Sequence, residues 1–267
     1  MTTAPHPAHA EPEPDVTHYK TLRTARLSGV LTIELNTPEH GNAVSEALLD
    51  DLLDVLQSHE YDPGVRVIVL RAAGPHFSLG GDREEFADHL ADDPAGAGIR
   101  LSATKGRRVC ELLTANQAVT IARVHGKAIG AGMALALACD LRVGAEDTTF
   151  RLPEMALGLP TAWGGLLPRL INELGPARVR EMILTGRPVG AEEARELSVL
   201  QRVVPADDLD IAVSQWATPV LRRHPAALRV TKLLINSLAA SSRLADASLL
   251  DAEFMASVAS EVHAPRS

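Results

Sequence analysis

The sequence predicts an α/β fold, on three observations. Short runs of valine, isoleucine and leucine recur along the first two thirds of the chain, separated by stretches in which apolar residues follow helical spacing. Glycine and proline mark the boundaries between these stretches. From Asp208 onward only helical patterns remain. Strands that alternate with helices and then stop indicate a mixed core followed by a helical C-terminal region.

Four segments carry the strand pattern: residues 30–35, 65–70, 119–124 and 141–143. Each is a short apolar run, which is typical of strands buried inside a sheet. Helical spacing follows at residues 43–56, 103–113, 133–138, 166–174, 176–184 and 191–197, and then at 209–221, 225–238 and 244–258. The first helix has Leu48, Leu49, Leu52 and Leu56 on one face, and Ser45 is placed to cap its N-terminus.

Length and composition fit one large domain. The chain has 267 residues, of which 46% are hydrophobic, so it can bury a substantial core. We expect residues 1–18 to be a disordered N-terminal arm, 19–205 the α/β core and 206–267 the helical C-terminal region. The arm is rich in proline, alanine and histidine but lacks the apolar segment of a signal peptide. A cytoplasmic protein that does not associate with membranes is therefore predicted.

Charge and cysteine content exclude several classes of function. The net charge is −8 and the basic residues are scattered, which argues against a nucleic-acid partner. The two cysteines, Cys110 and Cys139, lie within apolar helical patterns and are expected to be reduced and buried. No cysteine or histidine cluster has the spacing of metal ligands, so no metal is expected.

Two small-residue loops follow two of the predicted strands. Residues 77–82 (FSLGGD) come after the strand at 65–70, and Gly130-Ala131-Gly132 comes after the strand at 119–124. Because no large side chain shields the backbone there, each loop can present N–H groups to a ligand. The second loop also opens a helix, whose N-terminus attracts anions. Glu154 lies shortly downstream, so a base could join the two sets of donors. Ordinary tight turns are the alternative interpretation of both loops.

Four groups of residues, in this order and spacing, resemble the crotonase family, also called the enoyl-CoA hydratase/isomerase family. They are residues 36–43 (NTPEHGNA), 77–82 (FSLGGD), 126–132 (GKAIGAG) with Cys139-Asp140, and Pro153-Glu154 followed by 158–160 (GLP). The similarity extends from about residue 19 to about residue 257. It implies a spiral of β-β-α repeats, the ClpP/crotonase fold. It also implies that the last helices pack on a neighbouring subunit in a homotrimer or a dimer of trimers.

The resemblance assigns roles to several residues. It places the oxyanion-binding N–H groups at Gly81 and Ala131 and the catalytic carboxylate at Glu154. It implies an acyl-CoA thioester as the substrate and no other cofactor. An acyl carrier protein could deliver the same phosphopantetheine arm. Residues implied to line the CoA and acyl sites are His40, Asn42, Ala43, Ser78, Leu79, Gly80, Asp82, Gly130, Pro153, Ala162 and Trp163, together with a mobile stretch at 88–98.

The chain departs from the family's hydratases at one position. Those enzymes use two glutamates, but here the first falls on Ala134 and only Glu154 is kept. One carboxylate suits a double-bond shift, in which a proton leaves one carbon and returns to another, as in the enoyl-CoA isomerases of the family. Burial among apolar residues is expected to raise the pKa of Glu154 and make it a better base. We therefore predict an isomerase or a hydratase-like lyase.

Three alternatives stay open. Asp82, Glu84, Glu85 or His125 could supply a second acid or base and restore hydration, although a helix cap is favoured for Asp82 and a structural hydrogen bond for His125. The chain could instead dehydrate or decarboxylate a carrier-bound thioester, as crotonases of polyketide pathways do. Loss of the first glutamate also fits a non-catalytic member with a binding role.

Overall fold

The structure, a computed structural model, describes residues 13–241 and 250–262. The strands are β1 (Asp15–His18), β2 (Leu22–Leu27), β3 (Val30–Leu35), β4 (Val67–Ala72), β5 (Val119–Val124), β6 (Lys127–Ile129), β7 (Leu141–Ala145), β8 (Thr149–Arg151), β9 (Val189–Gly190) and β10 (Arg202–Val204). The helices are α1 (Glu46–Ser58), α2 (Arg83–Asp92), α3 (Ala97–Ala115), α4 (Ala131–Ala138), α5 (Leu166–Leu174), α6 (Pro176–Thr185), α7 (Ala191–Glu196), α8 (Leu209–Leu221), α9 (Pro225–Ser241) and α10 (Asp251–Val262). The predicted α/β class is confirmed.

The strands form one large sheet and one small sheet. The large sheet has the order β1-β2-β3-β4-β5-β7-β10 and the small one β6-β8-β9. Strands β3, β4, β5, β7 and β10 run parallel, whereas β1 and β2 pair antiparallel at one edge. Alternate residues of β4 enter two separate apolar layers, Ile68 and Leu70 on one face and Val67 and Val69 on the other. Helix α8 covers the second face, so the sheet is buried on both sides.

A repeated unit of strand, short strand and helix winds between the two sheets. The chain passes from β5 in the large sheet to β6 in the small sheet and then into α4. It passes likewise from β7 to β8 and then to α5. Two isolated β-bridges lie next to the small sheet. Ser78 pairs with Ala128 of β6, and Val44 pairs with Gly81. This arrangement is the predicted β-β-α spiral, and it stacks the loop after β4 directly on the loop after β5.

The structure corrects the predicted N-terminal boundary. Residues Asp15–His18, assigned to a disordered arm, form strand β1 and pair with β2 from Asp15 to His18. The pattern was missed because every residue of β1 is exposed, which leaves no alternation of apolar and polar side chains. Residues 1–12 of the predicted arm lie outside the described residues.

The stretch at 88–98, which was predicted to be mobile, is largely helical. Helix α2 continues to Asp92, and α3 begins at Ala97. The apolar face of α2 is limited to Phe86 and Leu90, which are only partly buried, so its pattern is too short for the sequence to reveal. Its start is set instead by Asp82, whose carboxylate accepts hydrogen bonds from the N–H groups of Glu84 and Glu85.

Candidate active site

The two small-residue loops lie against each other. Gly80 has φ of +96°, and a methyl group on it would come 2.9 Å from the carbonyl oxygen of Ile129 and 3.9 Å from the amide nitrogen of Ala131. Both the positive φ and the close approach require glycine at this position. The absence of a side chain at Gly80 therefore allows the first loop to approach the start of α4.

The first loop is held by side chains that were predicted to bind ligand. Asn42 donates from Nδ2 to the carbonyl oxygens of Ala73 and His76, and its Oδ1 accepts from the amide of Thr37. The hydroxyl of Ser78 donates to the carbonyl of Asn42 and accepts from the amide of Gly80, both within 3.2 Å. The polar side-chain atoms of Asn42 and Ser78 thus stabilise the loop.

The second loop turns sharply into α4. Gly130 has φ of 48° and ψ of −115°, a conformation open to glycine and strained for other residues. The next residue, Ala131, is not among the residues with positive φ, so its methyl group causes no strain. Within the part of the chain that the structure describes, no acceptor is found for the amides of Ala131 or Gly81. A methyl group built on Gly81 would have no atom within 4 Å, so this glycine faces open space.

The side chain of Glu154 lies next to Gly130 of the second loop. It begins a short 3-10 helix, Glu154–Leu157, directly after Pro153, and its Oε1 lies 3.0 Å from where a methyl group on Gly130 would be. Its Oε2 is buried and has no hydrogen-bond partner among the described residues. Burial raises the pKa of Glu154 to about 7, although a hydrogen bond from its own backbone amide opposes the shift. A carboxyl group with this pKa can exchange a proton near neutral pH.

A cavity of about 320 Å³ joins the loops to Glu154. Nine of the residues predicted for the site line it: Leu79, Gly80, Gly81, Asp82, Gly130, Ala131, Pro153, Glu154 and Trp163. The other five, which are His40, Asn42, Ala43, Ser78 and Ala162, do not. His40 is exposed to solvent and Ala162 is buried. For these five the predicted CoA contact stays a prediction.

Sequence reasoning missed part of the cavity wall. The additional lining residues include Phe86 and His89 of α2, Ile99, Ser102 and Ala103 of α3, Leu157 and Leu159 after Glu154, and Met255 of α10. The apolar stripe of α3 could have indicated that one face is buried, but not that it borders a cavity. Met255 lies about a hundred residues after Glu154, and no local pattern connects the two.

Three of the four residues that could supply a second acid or base are hydrogen-bonded within the protein. Asp82 caps α2, as expected, and Glu85 lines the cavity while its Oε2 accepts from the amide of Glu46 at 2.8 Å. His125 donates from Nε2 to the carbonyl of Gly74 and does not line the cavity, which agrees with the predicted structural role. Glu84 is exposed outside the cavity.

Ala134 lies in an apolar contact. Only 3% of it is exposed, and it is not part of the cavity wall. A methyl group built on Gly164 would come 3.6 Å from its Cβ and 2.8 Å from Sγ of Cys110. Both cysteines are buried and free, as predicted, and burial raises their pKa values to about 12. The position that carries a glutamate in hydratases is therefore packed with apolar groups.

Two further searches of residues 13–241 and 250–262 bear on the site. No group of three or more histidine, cysteine, aspartate or glutamate side chains is arranged to hold a metal ion. None of the helices in these ranges combines the length and apolar character needed to cross a bilayer.

A β-β-α spiral, with Glu154 beside two loops that each hold one amide without a described acceptor, defines an α/β enzyme of the crotonase type. The family profile described as enoyl-CoA hydratase/isomerase matches residues 25–265. The chain is 33% identical over 218 residues to the probable enoyl-CoA hydratase echA8 of Mycobacterium tuberculosis, covering 82% of each protein. It is 33% identical over 224 residues to the enoyl-CoA isomerase/hydratase fer4 of Mycosarcoma maydis, covering 80% of this chain and 79% of the relative.

A solved structure agrees. The crystal structure of an enoyl-CoA hydratase/isomerase from Xanthobacter autotrophicus Py2 superposes with a TM-score of 0.81 at 28% identity, covering 90% of this chain and 88% of the other. The chain belongs to the enoyl-CoA hydratase/isomerase family.

Proposed function

We propose that the protein moves the double bond of an enoyl thioester, with Glu154 as its single acid and base. The observation that carries this proposal is Oε2 of Glu154, which is buried without a described partner, in the same cavity as the amides of Gly81 and Ala131, which have no described acceptor. An unpaired buried polar atom is costly, so the unpaired Oε2 of Glu154 in this cavity supports a functional role. Resemblance to the family supplies the substrate class, a thioester of CoA.

The amides of Gly81 and Ala131 form the oxyanion hole in this proposal. The thioester carbonyl oxygen lies between them and gains negative charge when a proton is lost from the α-carbon. Donors held in place before the reaction stabilise that charge without reorganising. The start of α4 adds the positive end of its helix dipole.

The proton then moves through one carboxylate. Glu154 takes a proton from the α-carbon of a 3-enoyl thioester, and the electron pair of the C–H bond is delocalised to the carbonyl oxygen as a dienolate. Glu154 returns the same proton to C4. The double bond then lies between C2 and C3, so atoms and charge balance without any further cofactor.

The surroundings of Ala134 favour this reaction over hydration. Adding water to the double bond requires a group that orients the water and a group that protonates the α-carbon. Ala134, at the first of these positions, has no ionisable group, is buried and does not line the cavity. Glu85 is the remaining carboxylate on the cavity wall with an oxygen not assigned to a cap, and it keeps a hydratase-like reaction as the second candidate.

Deuterium exchange tests the proposal. Saturated, 2-enoyl and 3-enoyl CoA thioesters are incubated in deuterium oxide with the native protein and with Glu154→Gln. We expect double-bond migration and α-exchange in the native protein and a loss of about 10²- to 10⁴-fold in the variant. Because Glu154 must begin ionised, kcat/KM should fall as pH drops below about 7. Glu196→Gln on the exposed surface of α7 is the control and should leave turnover unchanged.

Each other outcome is informative. Undiminished exchange in Glu154→Gln would refute the proposal. Net addition of water would favour the hydratase candidate, and Glu85→Gln would then identify the second acid, since glutamine keeps an oxygen that can accept from Glu46. Turnover only when the acyl group is attached to a carrier protein would identify a carrier-dependent enzyme. Absence of turnover with either carrier, combined with acyl-CoA binding, would favour a non-catalytic member.

We also propose that the protein is a homotrimer or a dimer of trimers. Helix α9 is anchored to the core by Lys232 and Asn236, which donate to the carbonyls of Ala118 and Thr114. Its other side exposes a set of large apolar residues, Leu233, Leu234, Ile235 and Leu238. Exposed apolar patches of this kind mark interaction sites, and a neighbouring subunit would bury them. Light scattering should give a mass of three or six chains, and a monomer would contradict the proposal.

A further inference from the structure

One part of the cavity wall is formed by the indole ring of Trp163 and the side chain of Met255. Trp163 connects the main core to a small apolar cluster that it shares with Ile99 of α3 and Met255 of α10. Trp163, Ile99 and Met255 all line the cavity that contains Glu154. Phe86 and Leu159 pack against the same cluster. The cavity wall thus has a polar part, with Glu154 and the amides of Gly81 and Ala131, and an apolar part that includes this cluster.

A glycine on α3 makes room for the indole ring. Gly106 lies in the interior of this helix, where glycine is a weak helix former. A methyl group at Gly106 would come 2.5 Å from Cε2 of Trp163 and closer still to Cζ2. That distance is well inside van der Waals contact, so any larger residue at position 106 would displace the ring. The position of the indole ring of Trp163 therefore depends on glycine at position 106.

Helix α10 is attached to the turn that carries Trp163. The carboxylate of Asp251, at the start of α10, accepts a hydrogen bond from the amide of Gly165 at 3.1 Å. Gly165 follows Trp163 by two residues. Glu253 pairs with Arg100 of α3 at 2.9 Å. These contacts place Met255, which is 7% exposed, against the same apolar cluster.

We propose that Trp163, seated against Gly106, and Met255 form the end wall of the acyl site and determine the length of acyl group that the protein accepts. This proposal rests on the proposed function for the identity of the ligand, an acyl thioester. An apolar chain that extends from the carbonyl held near Gly81 and Ala131 would run along Ile99 and Leu159 until it reaches the indole ring. Chains that stop short of the ring bury their apolar surface, whereas longer chains must displace it.

The test compares two changes that act in opposite directions. Trp163→Ala removes the wall, and Gly106→Ala pushes the ring further into the cavity. Affinities for saturated acyl-CoA thioesters from butanoyl to dodecanoyl are measured by calorimetry, so that the result does not depend on turnover. We expect Trp163→Ala to raise the ratio of long-chain to short-chain affinity by about tenfold or more, and Gly106→Ala to lower it. Met255→Ala should raise the ratio in the same direction as Trp163→Ala.

Controls separate this proposal from the proposed function. Leu184→Ala, at an exposed position of α6, should leave the ratio unchanged. If Trp163→Ala fails to fold, Met255→Ala and Gly106→Ala still test the wall. An unchanged ratio in the folded variants would overturn the proposal even if Glu154→Gln abolishes turnover. A changed ratio together with an active Glu154→Gln would keep the wall and overturn the proposed chemistry.

Discussion

The polar groups at the C-terminal end of helix α4 are hydrogen-bonded, whereas some of those at its N-terminal end have no described partner. At the C-terminal end, Arg142 donates to the carbonyl of Cys139 at 3.0 Å, and Arg169 donates to the same oxygen at 3.0 Å. Glu173 lies between them and accepts from both at 2.7 Å. At the N-terminal end, no described acceptor is found for the amide of Ala131, and Oε2 of Glu154 has no described partner. We therefore call the C-terminal end of α4 the neutralised end and its N-terminal end the open end.

The C-terminal end of α4 contributes to stability, whereas the N-terminal end is suited to binding a ligand. Cations at a helix C-terminus compensate the negative end of the dipole, and Arg142 and Arg169 also satisfy carbonyls that the helix leaves unpaired. The N-terminal end lacks such compensation and holds a carboxyl group whose pKa is raised to about 7 by burial. Groups left unpaired reduce stability unless a ligand completes them. The open end is thus the one where a ligand gains most from binding.

The largest effect on stability is expected at the neutralised end. Arg142→Met removes a guanidinium that is 2% exposed and leaves Glu173 and several carbonyls without it. Glu173 keeps its bond from Arg169, but each buried carbonyl left without a donor costs about 1–3 kcal/mol in the free energy of unfolding. Urea denaturation measures this cost. Arg195→Met, which breaks an exposed pair with Glu192, is the control and should change stability by less than about 1 kcal/mol.

Turnover per folded molecule should not change in Arg142→Met. A variant with normal stability and reduced turnover would mean that the C-terminal end of α4 also serves catalysis, and the contrast between the two ends would fail.

The open end should show the opposite behaviour on substitution. Glu154 has a pKa of about 7 in the folded protein against a reference value of 4.5. The folded state therefore holds the proton more tightly than the unfolded state. The resulting stability is fully present below pH 4.5 and is lost as pH rises through 7. Glu154→Gln does not titrate, so its free energy of unfolding relative to the native protein should be about 3 kcal/mol higher at pH 8 than at pH 4.5.

Denaturation curves at the two pH values measure this gain. The control Glu196→Gln should show no such pH-dependent difference. If Glu154→Gln were destabilising at pH 8, the carboxylate would have a stabilising partner, and the N-terminal end of α4 would not be open.

Gly80 and Gly81, near the open end of α4, should respond differently to substitution by alanine. Gly80→Ala introduces strain at φ of +96° and a contact with Ile129, at an expected cost of about 1–3 kcal/mol in stability. Gly81→Ala meets no protein atom within 4 Å and should keep its stability within about 1 kcal/mol. Its methyl group enters the cavity, so kcat/KM should fall by about tenfold or more.

Thermal unfolding and steady-state kinetics distinguish the two variants. Normal kcat/KM in Gly81→Ala would show that no ligand approaches this amide, and the oxyanion position at Gly81 would have to be abandoned.

The sequence was most informative where a local pattern is sufficient. Strands β3 and β5 and helices α5 and α8 have the bounds that their apolar patterns predict. The cap at Ser45 is also confirmed by the bond from the amide of Leu48. Prediction failed for β1, β6, β8, β9 and β10, because strands that are exposed or only two or three residues long show no period. It also failed for β2, where the polar residue Thr24 occupies a buried position and interrupts the apolar alternation.

Amino-acid sequence alone determined the residue types at the site: glycines where the loops approach each other, Glu154 after a proline, and alanine at position 134. Tertiary structure decided how those residues are used. It engaged the side chains of Asn42 and Ser78 within the loop, left Oε2 of Glu154 unpaired, and brought Met255 to the cavity from a distant helix. The reason is physical, because hydrogen-bond partners, desolvation and cavity walls depend on distances between segments far apart in the chain.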